Sequence, residues 1–253
     1  MQDADCVLVS WNTPISAEVL RAAKQLKYVG MCCSLYDASS ANVDIEAAQS
    51  QKITVRGVRD YGDEGVVEFI IAQLISLYKG LGKHQWGDEP TEMTGKHLGI
   101  IGFGTTGQMV AKAACSFGMQ VWYYSRTRRK ELESRDVRYA PLDELLVFSD
   151  VVTTHLPKKT NLLGKKEFER MKPGSILVNT SLGPTFEPIA FRDWIEQGHN
   201  YAIFDADGAG GYAEIFSSYP NVIISNKVAG WTVEARSRLT QKVIANVRDF
   251  LSE

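Results

Sequence analysis

The sequence predicts an α/β protein in which helices cover parallel sheets, and three observations predict it. Strand-like and helix-like segments alternate from end to end, the pattern of the βα units that build parallel sheets. At 253 residues the chain exceeds the common domain size of about 100–200 residues, so more than one domain is expected. One strand, Leu98-Gly99-Ile100-Ile101, opens directly onto Gly102-Phe103-Gly104-Thr105-Thr106-Gly107, followed by a helix pattern and a second strand. That last arrangement is the core of a Rossmann-type, doubly wound sheet.

The elements follow in order. Cys6-Val7-Leu8-Val9-Ser10-Trp11 reads as a strand, and Thr13-Pro14 with Ser16 opens a helix whose Val19, Leu20, Ala23 and Leu26 share one face. Residues 28–33 form a second strand, 43–50 a short helix and 54–58 a third strand. The helix predicted over 64–81 is apolar on nearly every side, through Val66, Val67, Phe69, Ile70, Ile71, Leu74, Ile75, Leu77 and Tyr78. Such a helix is expected to be buried, between domains or against a second subunit. Residues 80–94 read as a polar loop. The helix after the glycine turn places Met109, Val110, Ala113, Ala114 and Phe117 on one face, and Val121-Trp122-Tyr123-Tyr124 follows as a strand. Further strands are predicted over 150–155, 175–179, 201–205 and 221–225, with a closing helix over 233–251.

Composition narrows the function. Hydrophobic residues make up 44% and charged residues 23%, as in ordinary globular chains. A formal net charge of -2 leaves no nucleic-acid footprint. No apolar run approaches the roughly 18 residues that a membrane span needs, and the polar start Met1-Gln2-Asp3-Ala4-Asp5 is unlike a signal peptide. Cys6, Cys32, Cys33 and Cys115 show neither C-x-x-C nor zinc spacing, so they read as core fillers in a reducing compartment. A cytoplasmic protein is expected.

The glycine turn predicts a dinucleotide. Gly102 permits the tight turn, Gly104 lets the backbone approach a pyrophosphate, and Gly107 lets helix and strand pack closely. Thr105 and Thr106 open the helix, whose free N–H groups favour phosphate. An Asp or Glu about 20 residues past the glycines would mark NAD. Ser125 stands there, followed by Arg126, Thr127, Arg128 and Arg129. A hydroxyl and guanidinium groups suit a 2′-phosphate, so NADP(H) is expected, with NAD possible. The alternative reading is a solvated basic turn.

Beyond these residues, the sequence resembles the D-isomer-specific 2-hydroxyacid dehydrogenases. The resemblance covers nearly the whole chain and runs in order through several segments. These are Asn42 to Ala48, Val67-Glu68, Thr94 to Gly102, Leu142 to Leu146, Ser149 to Val152, His155-Leu156-Pro157, Met171 to Gly174, Val178-Asn179-Thr180 and Ala229 to Ala235. It implies a dinucleotide-binding domain over 62–231 and a smaller α/β substrate domain from 1–61 plus 232–253, shorter at its N-terminal side than is usual in the family. It also implies a homodimer through the helix 64–81 and a small-molecule substrate. Thr180 and Asp205 match positions beside the nicotinamide carboxamide, and His155, Leu156 and Pro157 match the turn lining the adenine side. Each could also simply end its strand.

The sequence departs from the family at all three reactive positions. Asn-Thr-Ala-Arg-Gly reads Asn179-Thr180-Ser181-Leu182-Gly183, so Leu182 replaces the substrate-binding Arg. The Glu that orients the catalytic His is replaced by Gly210, and Lys227 stands where the His should be. Losing the Arg removes a bidentate carboxylate clamp, which makes a simple 2-hydroxy acid a poor substrate. Lys227 could donate a proton to a developing alkoxide, or merely face cofactor or solvent. Asp207 is an additional carboxylate that could pair with it. The sequence therefore predicts an NADPH-dependent reductase of a carbonyl-type substrate. A non-catalytic NADP(H) sensor is the alternative, and an inactive relative is a third reading.

Overall fold

The computed structural model describes residues 3–253. Two units divide the chain, Met1–Gly62 together with Thr232–Glu253, and Asp63–Trp231.

The smaller unit begins with β1 (Cys6–Val9), α1 (Ala17–Ala22), β2 (Tyr28–Ser34), α2 (Ile45–Ser50) and β3 (Thr54–Val58). Its three strands pair in parallel in the order β1-β2-β3. Ser16 caps α1 by accepting from the Val19 N–H, and Asp44 caps α2 by accepting from the Ala47 N–H. Two boundaries differ from expectation. The first strand ends at Val9, leaving Trp11 in a turn and 48% exposed. Helix α1 stops at Ala22, yet Ala23 and Leu26 are buried through successive i→i−3 turns. Helical spacing at these two positions is kept by turns rather than by a continued helix.

The larger unit opens with α3 (Asp63–Lys79), β4 (His97–Ile101), α4 (Thr105–Ser116), β5 (Gln120–Tyr124) and β6 (Val137–Tyr139). It continues through α5 (Leu142–Phe148), β7 (Val151–Thr154), α6 (Lys165–Arg170) and β8 (Ile176–Asn179). The last members are α7 (Pro188–Ile195), β9 (Tyr201–Phe204), α8 (Ala213–Phe216) and β10 (Val222–Ile224). Helix α9 (Val233–Leu251) then returns to the smaller unit, where Leu239 and Val243 pack with Val58.

The strands of the larger unit form one sheet in the order β10-β9-β8-β7-β4-β5-β6, with every pairing parallel. Neighbouring strand residues point to opposite faces, so Ile100 joins α3 and α4 residues in one core while Ile101 joins Leu145, Phe191 and Trp194 in the other. That is a doubly wound sheet. Strand β6 was not predicted: it is three residues long, its central Arg138 is exposed, and it sits at the sheet edge. Helix α3 is not buried all round within the chain. Ile70, Leu74, Leu77 and Tyr78 are buried, whereas Val66, Val67, Phe69 and Ile75 are only partly so. Among the described residues no helix is long and apolar enough to cross a membrane.

Candidate active site

Parallel pairing sets the predicted residues side by side. Tyr124, Ile101, Thr154, Asn179 and Phe204 stand in one row across the sheet. The next residue on each strand is Ser125, Gly102, His155, Thr180 and Asp205, so five sequence candidates share the carboxyl edge. The strand order reverses direction between β4 and β7, and ligands of open α/β sheets bind at such switch points.

The glycine turn has the geometry a pyrophosphate requires. Gly102 has φ +97°, and a Cβ there would lie 2.2 Å from the His155 carbonyl oxygen. A Cβ on Gly107 would lie 2.3 Å from the Gly102 oxygen, so helix and turn pack without room for a methyl group. A Cβ on Gly104, by contrast, would meet nothing within 4 Å. No side chain caps α4 at Gly104, which leaves the first N–H groups of the helix available to an anion. These residues fit a dinucleotide. Thr105 opens the helix, but the Thr106 hydroxyl donates to the Asp63 carboxylate at the start of α3, which ties that side chain to the protein.

The loop after β5 sorts its basic residues. Arg126 is exposed and, among the described residues, has no hydrogen-bond or ionic partner, and Thr127 is exposed beside it. Arg128 instead forms a two-pronged pair with Glu133, Nε to Oε1 at 2.6 Å and Nη2 to Oε2 at 2.7 Å. The Arg128 hydrogen bonds hold the Glu133 carboxyl below its usual range, and the pair raises Arg128.

The centre of the edge is a buried polar network. The Asn179 amide donates to the Gly183 and Gly208 carbonyls, and its Oδ1 accepts from Thr154 Oγ1 at 2.9 Å and the Ser181 N–H at 3.0 Å. The Ser181 hydroxyl donates to the Thr154 carbonyl and accepts from the Leu156 N–H. The turn 155–157 is thereby fastened to the loop after β8. Thr180 is half-buried, and its hydroxyl has no partner among the described residues.

Asp205 is buried. Its Oδ1 accepts from the Gly208 N–H at 2.8 Å and the Asp207 N–H at 3.2 Å, and its Oδ2 from the Ala229 N–H at 2.9 Å. Burial raises its carboxyl above the usual range against the pull of these N–H groups. Two lone pairs lie on each oxygen, so Oδ2 retains capacity for one further donor. Burial also pushes the His155 imidazole down to about 4, and Nε2 lies 3.2 Å from the Thr153 hydroxyl. The ring is neutral at ordinary pH.

Lys227 sits in the loop after β10 with its side chain exposed. Its segment is pinned to the turn after β9, because the Lys227 carbonyl accepts from the Ala206 N–H at 3.1 Å and Ala229 is bound by Asp205. Lys227 and Asp207 form no ion pair or hydrogen bond in the structure. Leu182 is 45% exposed. Gly210 has φ +54°, and a Cβ there would lie 2.8 Å from Pro184 Cδ, so the backbone at this position is shaped for glycine.

Sequence reasoning missed Asp63, Glu133, Tyr123 and the roles of Thr154 and Ser181. Asp63, Thr154 and Ser181 act through partners distant in sequence, whereas Tyr123 and Glu133 meet partners five to ten residues away across an irregular loop. The only available signal was the Ser at position 181 of the motif that contains Asn179.

Comparison with known proteins identifies the family. The D-isomer specific 2-hydroxyacid dehydrogenase NAD binding domain matches residues 70–226. The hydroxypyruvate reductase of Blautia hydrogenotrophica is 29% identical over 279 residues, covering 98% of this chain and 83% of that protein. The glyoxylate reductase of Thermococcus gammatolerans is 31% identical over 276 residues, covering 99% and 80%. Among solved structures, an acyclic imino acid reductase in complex with NADPH and D-Arg shares the fold with a TM-score of 0.85 at 24% identity, covering 99% of this chain and 84% of that one. The chain therefore belongs to the D-isomer specific 2-hydroxyacid dehydrogenase family and is an NAD(P)-dependent oxidoreductase.

Proposed function

We propose that the protein is an NADPH-preferring reductase of a carbonyl-type substrate other than a standard 2-hydroxy or 2-keto acid. The observation that carries this reading is the carboxyl edge itself. It combines Arg126, which has no partner among the described residues, beside Ser125 at one end with Lys227, held to the Asp205 turn, at the other. The bound nicotinamide would supply a hydride. The Thr180 hydroxyl and the free capacity of Asp205 Oδ2 would fix the carboxamide, and the ammonium of Lys227 would give a proton to the developing alkoxide. Asp207 would stand as a counter-charge near the lysine. The Leu182 side chain cannot bind a carboxylate by charge, which is why an ordinary 2-keto acid fits poorly. We also infer a homodimer through the partly covered side of α3.

NADPH oxidation against aldehydes, 2-keto acids and imines tests the reaction. Lys227→Ala is expected to lower kcat by about 10²–10⁴-fold, the usual worth of a general acid, with coenzyme affinity unchanged. Undiminished turnover would remove Lys227 from the chemistry. Ser125→Asp is expected to weaken NADP and not NAD, and wild-type affinity for NAD equal to that for NADP would end the coenzyme reading.

A sensor is the second reading, and it is favoured by the loss of the reactive side chains at 182, 210 and 227. Silence over the whole substrate panel with NADPH binding retained would select it.

A further inference from the structure

We propose that Tyr123 and Glu133 are positioning residues for coenzyme preference, fastening the loop 125–129 so that Arg126, and not Arg128, meets the adenosine 2′-phosphate. The proposal rests on the NADP(H) reading above.

Tyr123 is fully buried on β5, and its hydroxyl works in two directions. It accepts from the Arg129 N–H at 2.8 Å and donates to Glu133 Oε1 at 3.1 Å. Its ring stacks on Phe103 with centroids 3.9 Å apart and planes 16° apart. Phe103 is the second residue of the glycine turn, so one side chain touches both the pyrophosphate turn and the loop after β5. That loop leaves β5 at Tyr124 and is caught again at the Arg129 N–H, and the residues between these anchors include Ser125 and Arg126.

Glu133 closes the clamp from outside. Its carboxylate engages Arg128 through both oxygens, and the guanidinium lies 5.2 Å over the Tyr139 ring of β6. Arg128 is thus neutralised and held by β6. Arg126 carries no such partner among the described residues. Without the clamp, a short exposed loop with three arginines would repel itself and would have to be ordered anew by each ligand, which lowers affinity. Only a coenzyme bearing the 2′-phosphate benefits from a pre-set Arg126, so the clamp should act on selectivity rather than on dinucleotide binding in general.

Calorimetric titration of NADP and NAD against wild type, Tyr123→Phe, Glu133→Ala, Arg128→Ala and the Glu133→Ala/Arg128→Ala pair tests this. Tyr123→Phe changes no charge and keeps the ring on Phe103. It is expected to weaken NADP about tenfold, the worth of the lost hydrogen bonds, with NAD changed less than about twofold. Glu133→Ala is expected to weaken NADP as well, although it removes a negative charge, and adding Arg128→Ala should cost nothing further because the two act as one unit. Tighter NADP binding by Glu133→Ala would overturn the proposal, since a freed Arg128 would then be gripping the phosphate. An unchanged NADP-to-NAD ratio in Tyr123→Phe, whatever its melting temperature, would reduce the clamp to a structural part and overturn it too. Equal wild-type affinity for the two coenzymes would instead remove the NADP(H) reading, and the proposal with it.

Discussion

Gly210 adopts a backbone shape that suits glycine. At φ +54°, with Pro184 Cδ 2.8 Å from where a Cβ would stand, the position strains any other residue, since left-handed backbone alone costs an L-residue about 1–2 kcal/mol. Gly210→Glu is therefore expected to lower stability by about 1–3 kcal/mol and to leave glyoxylate reduction absent; thermal melting and a glyoxylate assay check both. The glycines of the turn at 102–107 were legible because each has a distinct steric duty that the sequence spacing already implies. Arg128 was not. Its partner, Glu133, lies past a turn that carries no periodic pattern, so the sequence offered five basic or polar residues after Tyr124 with no means of ranking them. The pairing with Glu133 supplies that ranking.

The long helices were readable and the edge strand β6 was not. Helices α3 and α9 span 17 and 19 residues, enough turns for a pattern to declare itself. Strand β6 has three residues with one outward arginine, too few for period-two alternation to stand out. The apolar side chains of α3 are covered only in part within this chain. Phe69 and Val66 lie partly buried on it beside the fully buried Ile70 and Leu74. If a second copy covers that side, Phe69→Glu is expected to convert a dimer to a monomer, because one desolvated carboxylate costs several kcal/mol. Light scattering at matched concentrations reads the change, and an unaltered dimer would place the interface elsewhere. The loop between α3 and β4 also has fixed points within the unit: Trp86 Nε1 donates to the Gly174 carbonyl and stacks edge-on with Tyr78.

Across the whole molecule, stability should depend on pH through His155. Its folded value of about 4 lies below the unfolded value of about 6.5, so the unfolded chain binds more protons between these limits. The resulting stability is fully present above about pH 6.5 and is lost as pH falls toward 4. With allowance for partial exposure the change is about 2 kcal/mol. Denaturant midpoints over this window should flatten in His155→Gln relative to wild type, and parallel curves would show that the imidazole is not responsible. The doubly wound architecture was legible because alternating apolar runs and glycine punctuation extend over the entire chain. The network joining Thr154, Asn179, Ser181 and the Gly208 carbonyl was not, because its members meet only once parallel strands are laid side by side.

The return of α9 to the first sheet has a consequence for synthesis. Arg56 on β3 donates to the Asn246 carbonyl of that helix, two groups 190 residues apart in sequence, and Tyr28 of β2 lies against Phe250 with ring centroids 4.7 Å apart. As the ribosome delivers the chain, β1 to β3 emerge early and wait with one apolar face uncovered while the larger unit is still being translated. Nascent polypeptide in that interval is a natural client for chaperones, and a premature stop before α9 would leave the waiting face permanently open to aggregation.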